Sequence, residues 1–348
     1  MIIFSDPHLG LNRRAHTTKT SRVALADAIH HKALEIASEG KRLGDTVVCA
    51  GDLFDTFSNS EEAIINASAV ASRCNVILAG NHDSSNRADV RGSLDMIEAM
   101  FLGGGDTEIV SNPNFDEPYH ITGKFEGMYF AFIPHHPTQE LFERALNKLI
   151  EEDTTYTLRG VFLHCNYNND LTKGSDATLN LTEGMAVLLG TVCDYIFIGH
   201  EHQPSEKLGG KVVIVGNTHP TSFGDISDKY VWSLNQKTLK KALCWEVDRH
   251  FVELDITEGY PPPPAWVTAE FVDIVGSIPA TGGADLAQYI SDIWHHSSPF
   301  MVRNSVSIVS DNHVSGEVVD VADLPARIGK KLKGTNLEET YEYYRGKI

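Results

Sequence analysis

No apolar run in this 348-residue chain approaches the roughly 18–20 residues needed to span a bilayer, which excludes a transmembrane helix. The opening Met1–Asp6 carries no basic region, and its apolar stretch is too short for a signal peptide. Cysteine is sparse: Cys49, Cys74, Cys165, Cys193 and Cys244 are scattered, odd in number and contain no CxxC pair. They build neither a disulfide framework nor a zinc knuckle, and are expected as small buried hydrophobes in a reducing cytoplasm. Positive charge is also short, with 29 Lys and Arg against 47 Asp and Glu and a net charge of −18. A protein that grips nucleic-acid phosphates unaided is basic at least locally. Any such contact here must therefore go through metal ions, a local basic patch or a partner. There is no internal repeat, and the only biased tract is Pro261–Pro264.

What is present is ordinary globular composition, 42% hydrophobic and 22% charged, with an unusual 16 histidines. At about 150 residues per domain the length allows two domains, or one large domain and an appendage. Short apolar runs rich in β-branched residues predict strands at 2–4, 46–50, 76–79, 129–133, 161–163, 195–198 and 212–215. Helices are predicted near 21–39, 61–72 and 139–152; in the first, Leu25, Ile29, Ala33 and Ile36 form one stripe at helical spacing. Alternating strands and helices indicate an α/β fold. The prolines form a stiff linker, 260–264, between a domain at 1–259 and a smaller α+β segment at 265–348.

The residues that follow the strands are the informative ones. They are Ser5-Asp6-Pro7-His8, Gly51-Asp52-Leu53-Phe54-Asp55, Gly80-Asn81-His82-Asp83, His164, and Gly199-His200-Glu201-His202. An Asp or His after one strand is usually a turn residue or helix cap. Five strands in succession ending this way are hard to assign to turns, and in open α/β sheets ligands bind beyond the carboxyl ends of strands. The side chains combine Asp, Asn and His without cysteine, which favours manganese, iron or zinc over a soft metal and makes a lone magnesium less natural. They exceed the four ligands of one tetrahedral site, which suggests two ions. A close pair of ions can clamp the attacking and leaving oxygens of a phosphoryl displacement.

This ordered set, DxH, GD, GNHD, a lone His and GHxH, resembles the calcineurin-like metallophosphoesterase superfamily over roughly residues 1–225. The resemblance implies a β-sandwich flanked by helices, followed here by a small C-terminal α+β cap. It also implies a two-metal site: Asp6, His8 and His202 on the first ion, Asn81, His164 and His200 on the second, and Asp52 bridging. Hydroxide bridged by the metals would attack phosphorus, His82 would protonate the leaving oxygen, and Asp83 would orient His82. Within the superfamily the sequence is most similar to the SbcD-type DNA double-strand-break repair exonuclease subunit, in a compact phage-like form. The similarity lies in Ser5–Gly10, in Thr46–Asp55 and in Ile77–Asp83, with Asp55 standing where some relatives carry histidine. It implies a manganese-dependent DNA nuclease, acting as a homodimer with an SbcC-like coiled-coil ATPase in the cytoplasm (the host's, if phage-encoded). The cap, placed by position alone, would bind DNA or the partner.

Two other functions use the same residues. A nucleotide or small-molecule phosphoesterase fits the net charge of −18, since a small substrate needs no basic track. A non-catalytic DNA-end tether would not need His82 beside a complete ligand set. Lys237, Lys240 and Lys241, and Arg327, Lys330, Lys331 and Lys333, are candidate DNA contacts, each individually more in keeping with solvated surface charge. Tyr341, Tyr343 and Tyr344 fit a core slightly better than a partner-binding helix face. Asp55, His135, His136 and His219 are left without a role.

Overall fold

The computed structural model describes residues 1–85, 90–102, 106–112, 116–152, 156–169, 179–262 and 269–309. Two six-stranded sheets dominate. The first contains β1 (Ile2–Phe4), β2 (Val47–Cys49), β3 (Val76–Leu78), β4 (Glu108–Val110), β13 (Lys229–Leu234) and β14 (Leu239–Trp245), in the order β14-β13-β1-β2-β3-β4. The second contains β5 (Ile121–Phe125), β6 (Met128–Ile133), β7 (Leu158–His164), β10 (Cys193–Gly199), β11 (Ser205–Lys207) and β12 (Val212–Ile214), in the order β11-β12-β10-β7-β6-β5. Each holds four parallel strands: β1 to β4 in one, and β12, β10, β7 and β6 in the other. All seven strands expected from the apolar runs are present. The parallel strands read as continuous apolar runs because both their faces are covered.

The two sheets pack face to face through Ile3, Val48, Val76, Leu78 and Trp232 on one side and Phe130, Phe132, Phe162, Phe197 and Val213 on the other. Register aligns Phe132 with Phe162 and Phe162 with Phe197, so three rings stack across adjacent strands with centroids 4.9 Å apart at each step. Burying each such ring contributes about 2–3 kcal/mol. The opposite face of the first sheet is covered by α1 (Lys19–Leu43), α2 (Glu61–Ala71) and α3 (Ser93–Phe101). That of the second is covered by α4 (Gln139–Glu151) and α5 (Glu183–Leu189). The stripe Leu25, Ile29, Ala33, Ile36 is buried as expected. Helix starts follow local chemistry: Thr18, Ser60, Thr138 and Thr182 each accept a first-turn N–H. Gly44, at φ 76°, ends α1 in the left-handed conformation. The fold is thus a mixed α/β sandwich flanked by helices, as anticipated.

A third, parallel sheet joins β15 (Phe251–Asp255), β16 (Phe271–Val275) and β18 (Met301–Asn304), packed on α6 (Gly283–Ser297). Short pairs are made by β8 (Asn166–Tyr167) with β9 (Asn180–Leu181), and by β17 (Ser277–Pro279) with β19 (Ser307–Val309). The division expected at residues 260–264 does not separate the third sheet. Five residue pairs link β15, before the prolines, to β16 after them, and among the described residues this ladder is β15's one strand pairing. Phe271 and Met301 also enter the core beneath the first sheet's helices. Arg327, Lys330, Lys331, Lys333, Tyr341, Tyr343 and Tyr344 lie outside the described residues. Among the described residues, no helix is long and apolar enough to cross a membrane.

Candidate metal centre

Strands β1, β2 and β3 lie side by side in one sheet, and β7 and β10 lie side by side in the other. Their carboxyl ends meet at one edge of the sandwich, so five loops far apart in sequence converge. The loops are stitched by backbone hydrogen bonds: the Asp6 N–H donates to Gly51 O at 3.0 Å, and the His8 N–H to Asp52 O at 3.2 Å. Four of the gathered residues, Asp6, His8, Asp52 and His200, have φ between 47° and 85°. Such strain in non-glycine residues persists only where surrounding structure enforces it, and it concentrates at functional sites. The motif glycines have a steric reason. A Cβ on Gly51 would sit 1.9 Å from His164 Nδ1, and one on Gly80 would sit 2.1 Å from Asp52 Oδ1.

All seven residues anticipated as ligands are brought together. Asp6, His8 and His202 offer ligand atoms within 4.8 Å of one another, and so do Asp52, His164 and His200. Asn81 Oδ1 lies 3.1 Å from His164 Nε2 and 2.9 Å from His200 Nδ1, which joins it to the second group. His164 Nε2 is 3.2 Å from Asp52 and 3.9 Å from Asp6, so the two groups are contiguous. The Asp6 carboxylate also accepts the His200 N–H at 3.0 Å.

The donor set fits divalent cations. His8 Nε2 and His202 Nε2 face each other at 2.9 Å. His202 Nδ1 lies 3.2 Å from the Asp225 carboxylate, which can only accept, so Nδ1 keeps its proton and Nε2 presents a lone pair. In the metal-free protein that lone pair can accept a proton from His8 Nε2, and a cation held between the two rings would take the place of that proton. Borderline imidazole with hard carboxylate and amide oxygen suits first-row divalent ions.

Burial and charge divide the imidazoles. His8 is pushed down to about 3 and His200 to about 4, chiefly by burial, so both stay neutral. For His164 burial acts downward, but the Asp52 charge and hydrogen bond, with Asp6, outweigh it and raise the imidazole to about 10. His202 is likewise raised against its burial by its hydrogen bond to Asp225 and the Asp6 charge. Asp52, despite burial, is held well below the usual carboxylate range by His164. A cation binding here must displace a proton from His164.

His82 lies at the rim, half-buried, its ring 5.0 Å from that of His8, and with His8 and Asp55 it forms a third group whose ligand atoms lie within 4.8 Å of one another. Its N–H donates to Asp52 Oδ1 at 2.9 Å, and its Nδ1 bonds the Asp55 carbonyl oxygen. This corrects the role expected of Asp83. The Asp83 carboxylate accepts the N–H groups of Leu53, Phe54 and Gly80 at 3.0–3.1 Å, and it pins the β2 and β3 loops together. Burial and the Asp52 charge raise it to about 7. The Asp55 carbonyl orients His82, while the Asp55 carboxylate lies 3.5 Å from His8 Nδ1.

The profile of the calcineurin-like phosphoesterase family matches residues 1–204. The chain belongs to that family. Membership makes it a metal-dependent phosphoester hydrolase, and every residue of the two clusters named above falls within the matched span.

Of the histidines left without a role, one borders the phosphoesterase centre. His135 is buried, donates its N–H to Ala79 O, and is pushed down to about 3 by burial and by the neighbouring His164. His136 turns away: its Nδ1 donates to Pro134 O, and its Nε2 accepts the Tyr119 N–H. His219 packs against Trp245, Phe271 and Phe300, with Nε2 3.4 Å from Glu270. Lys237, Lys240 and Lys241 are exposed on the β13–β14 hairpin. Sequence reasoning missed Asp225 and Lys229, which back the centre from beyond the matched span; no strand-end motif marks them.

Proposed function

We propose that this phosphoesterase is a two-metal phosphodiester hydrolase working as a DNA exo/endonuclease, with Asp6, His8 and His202 on one ion, Asn81, His164 and His200 on the other, and Asp52 between. The observation that carries the hydrolase reading is His82, held at the rim of a complete ligand set with one ring nitrogen already committed. When bound, the ions supply positive charge to the phosphoryl oxygens and lower the pKa of water to give a nucleophile at neutral pH. The protein's own residues do the rest. The Asp55 carbonyl accepts the His82 Nδ1–H, so a doubly protonated His82 can give its Nε2–H to the departing oxygen and remain as the neutral Nδ1–H imidazole. Asp52 fixes the His82 main chain through its N–H, so the acid and the ligand set share one rigid support.

The choice of DNA rests on Ser5–Gly10, Thr46–Asp55 and Ile77–Asp83, the runs most similar to the SbcD-type subunit. On that reading manganese is the metal and a homodimer is the working form. The residues after the proline run form a cap, and a coiled-coil ATPase supplies the DNA grip that a chain of net charge −18 lacks. The setting is DNA end processing, recombination or replication in the cytoplasm.

The test compares wild type and His82→Ala with manganese. One arm uses end-labelled duplex and single-stranded DNA; the other uses a nucleotide monophosphate and an aryl phosphodiester. Cleavage of DNA that disappears in the variant supports the nuclease. Rapid turnover of the small esters with intact DNA overturns it in favour of a small-molecule phosphoesterase.

A further inference from the structure

The centre is braced from outside by Asp225, which enters from the loop between β12 and β13. Its Oδ2 meets His202 Nδ1 at 3.2 Å and accepts from Asn217 Nδ2 at 2.6 Å, Thr221 N at 2.9 Å and Thr221 Oγ1 at 3.2 Å. Its Oδ1 takes Lys229 Nζ at 2.5 Å. The fully buried Lys229 also donates to the His202 main-chain oxygen at 3.1 Å. His202 is therefore gripped twice, by its ring through Asp225 and by its backbone through Lys229.

The other imidazoles are supported differently. His164 Nδ1 rests on the Ala50 carbonyl at 3.0 Å. His8 Nδ1 is buried without a hydrogen bond, and its nearest carboxylate, that of Asp55, is 3.5 Å away. If Asp225 served only to neutralise Lys229, Oδ1 would suffice. Instead three further donors fix the carboxylate so that Oδ2 cannot swing off His202.

We infer that Asp225 is a positioning residue for the first metal: it keeps His202 in the Nδ1–H form, with Nε2 aimed at the ion shared with His8. Carboxylates placed in this way on a metal-binding histidine set its tautomer and raise its basicity, and losing one typically weakens binding about 10–100-fold. The inference rests on the metal-centre reading but not on the choice of DNA as substrate.

Calorimetric titration of the full chain with manganese alone tests it. In wild type two ions bind. In Asp225→Asn one binding step weakens by about 10–100-fold and the other holds, because the amide can present N–H to Nδ1 and move the imidazole proton to Nε2. Removing the carboxylate leaves Lys229 buried and unpaired, so Asp225→Asn/Lys229→Met is titrated in parallel with both charges gone, and the same split is expected. Asp225→Glu, with the acceptor restored, recovers part of the loss. Equal weakening of both steps, or no change in either, overturns the inference. The 15N imidazole spectrum of metal-free wild type gives an independent reading, and a neutral His202 protonated on Nε2 overturns it without any variant. A wild type that takes up no manganese defeats the metal-centre reading itself, which separates the two failures.

Discussion

The two halves of the metal centre use the same kinds of side chain but hold them by different means. In the half built on Asp6, His8 and His202, the raised imidazole is His202, and its partner Asp225 is no candidate ligand. In the half built on Asp52, Asn81, His164 and His200, the raised imidazole is His164, and its partner Asp52 is itself a candidate ligand. The first half is stiffened from outside. In the second, the same carboxylate holds the histidine and awaits the metal, so the proton on His164 and a cation compete for one set of lone pairs. The backbone bracing differs in parallel: Lys229 ties the His202 main chain, whereas Asp83 ties the loops carrying Asp52 and Asn81.

The sharpest way to break this comparison is Asp52→Asn, which removes the second-half carboxylate proposed above to reach both ions. Both manganese-binding steps should weaken in calorimetry, and phosphodiester turnover should fall by about 10⁴-fold or more, since the ions' several kcal/mol of charge stabilisation is lost. Loss of one ion only would show that Asp52 belongs to a single half. His82→Ala comes next. Turnover should drop by roughly 10²–10³-fold, the usual worth of a positioned acid, with both ions retained. A metal count that falls with activity would move His82 into the ligand set.

Asp83→Ala tests the bracing of the second half. Three buried N–H groups lose their acceptor, so stability in urea should fall by about 3 kcal/mol. An unchanged midpoint would mean that water replaces the carboxylate. The mildest test is pH. Below its raised value of about 10, His164 is protonated in the metal-free protein, so a cation must displace that proton. Affinity at the second half should therefore rise by up to about tenfold for each unit between pH 6.5 and 8.5. The already neutral His8 and His200 add no such slope, and a flat profile would place the His164 proton elsewhere.

Much of the fold was legible because its signals are local. A strand buried on both faces shows as an apolar run, and α1 shows as a stripe at helical spacing between Thr18 and Gly44. The candidate ligands were legible for a related reason. Parallel strands such as β1, β2 and β3 deliver the residue after each strand to the same edge, so order along the chain becomes proximity in space. What escaped depends on contacts between distant segments. Asp225 touches His202 only because β13 runs antiparallel beside β1, a pairing that no short window reveals. Asp83 adjoins His82 in sequence, which suggests a partnership, but the turn over residues 81–83 points its carboxylate at the N–H groups of Leu53 and Phe54, about thirty residues earlier. The proline run read as a boundary because stiffness is visible in sequence, whereas the β15–β16 ladder that spans it is not.

That ladder has a practical consequence for cutting the chain. A fragment ending within the prolines would keep β15 but lose β16, leaving a row of bare N–H and C=O groups open to strands from other molecules. It would also strip Phe271 and Met301 from the floor of the first sheet's helical layer, uncovering Trp245 and His219 around them. A cut before Phe251 uncovers the same residues but removes the sheet as a whole, so it leaves no open β15 edge.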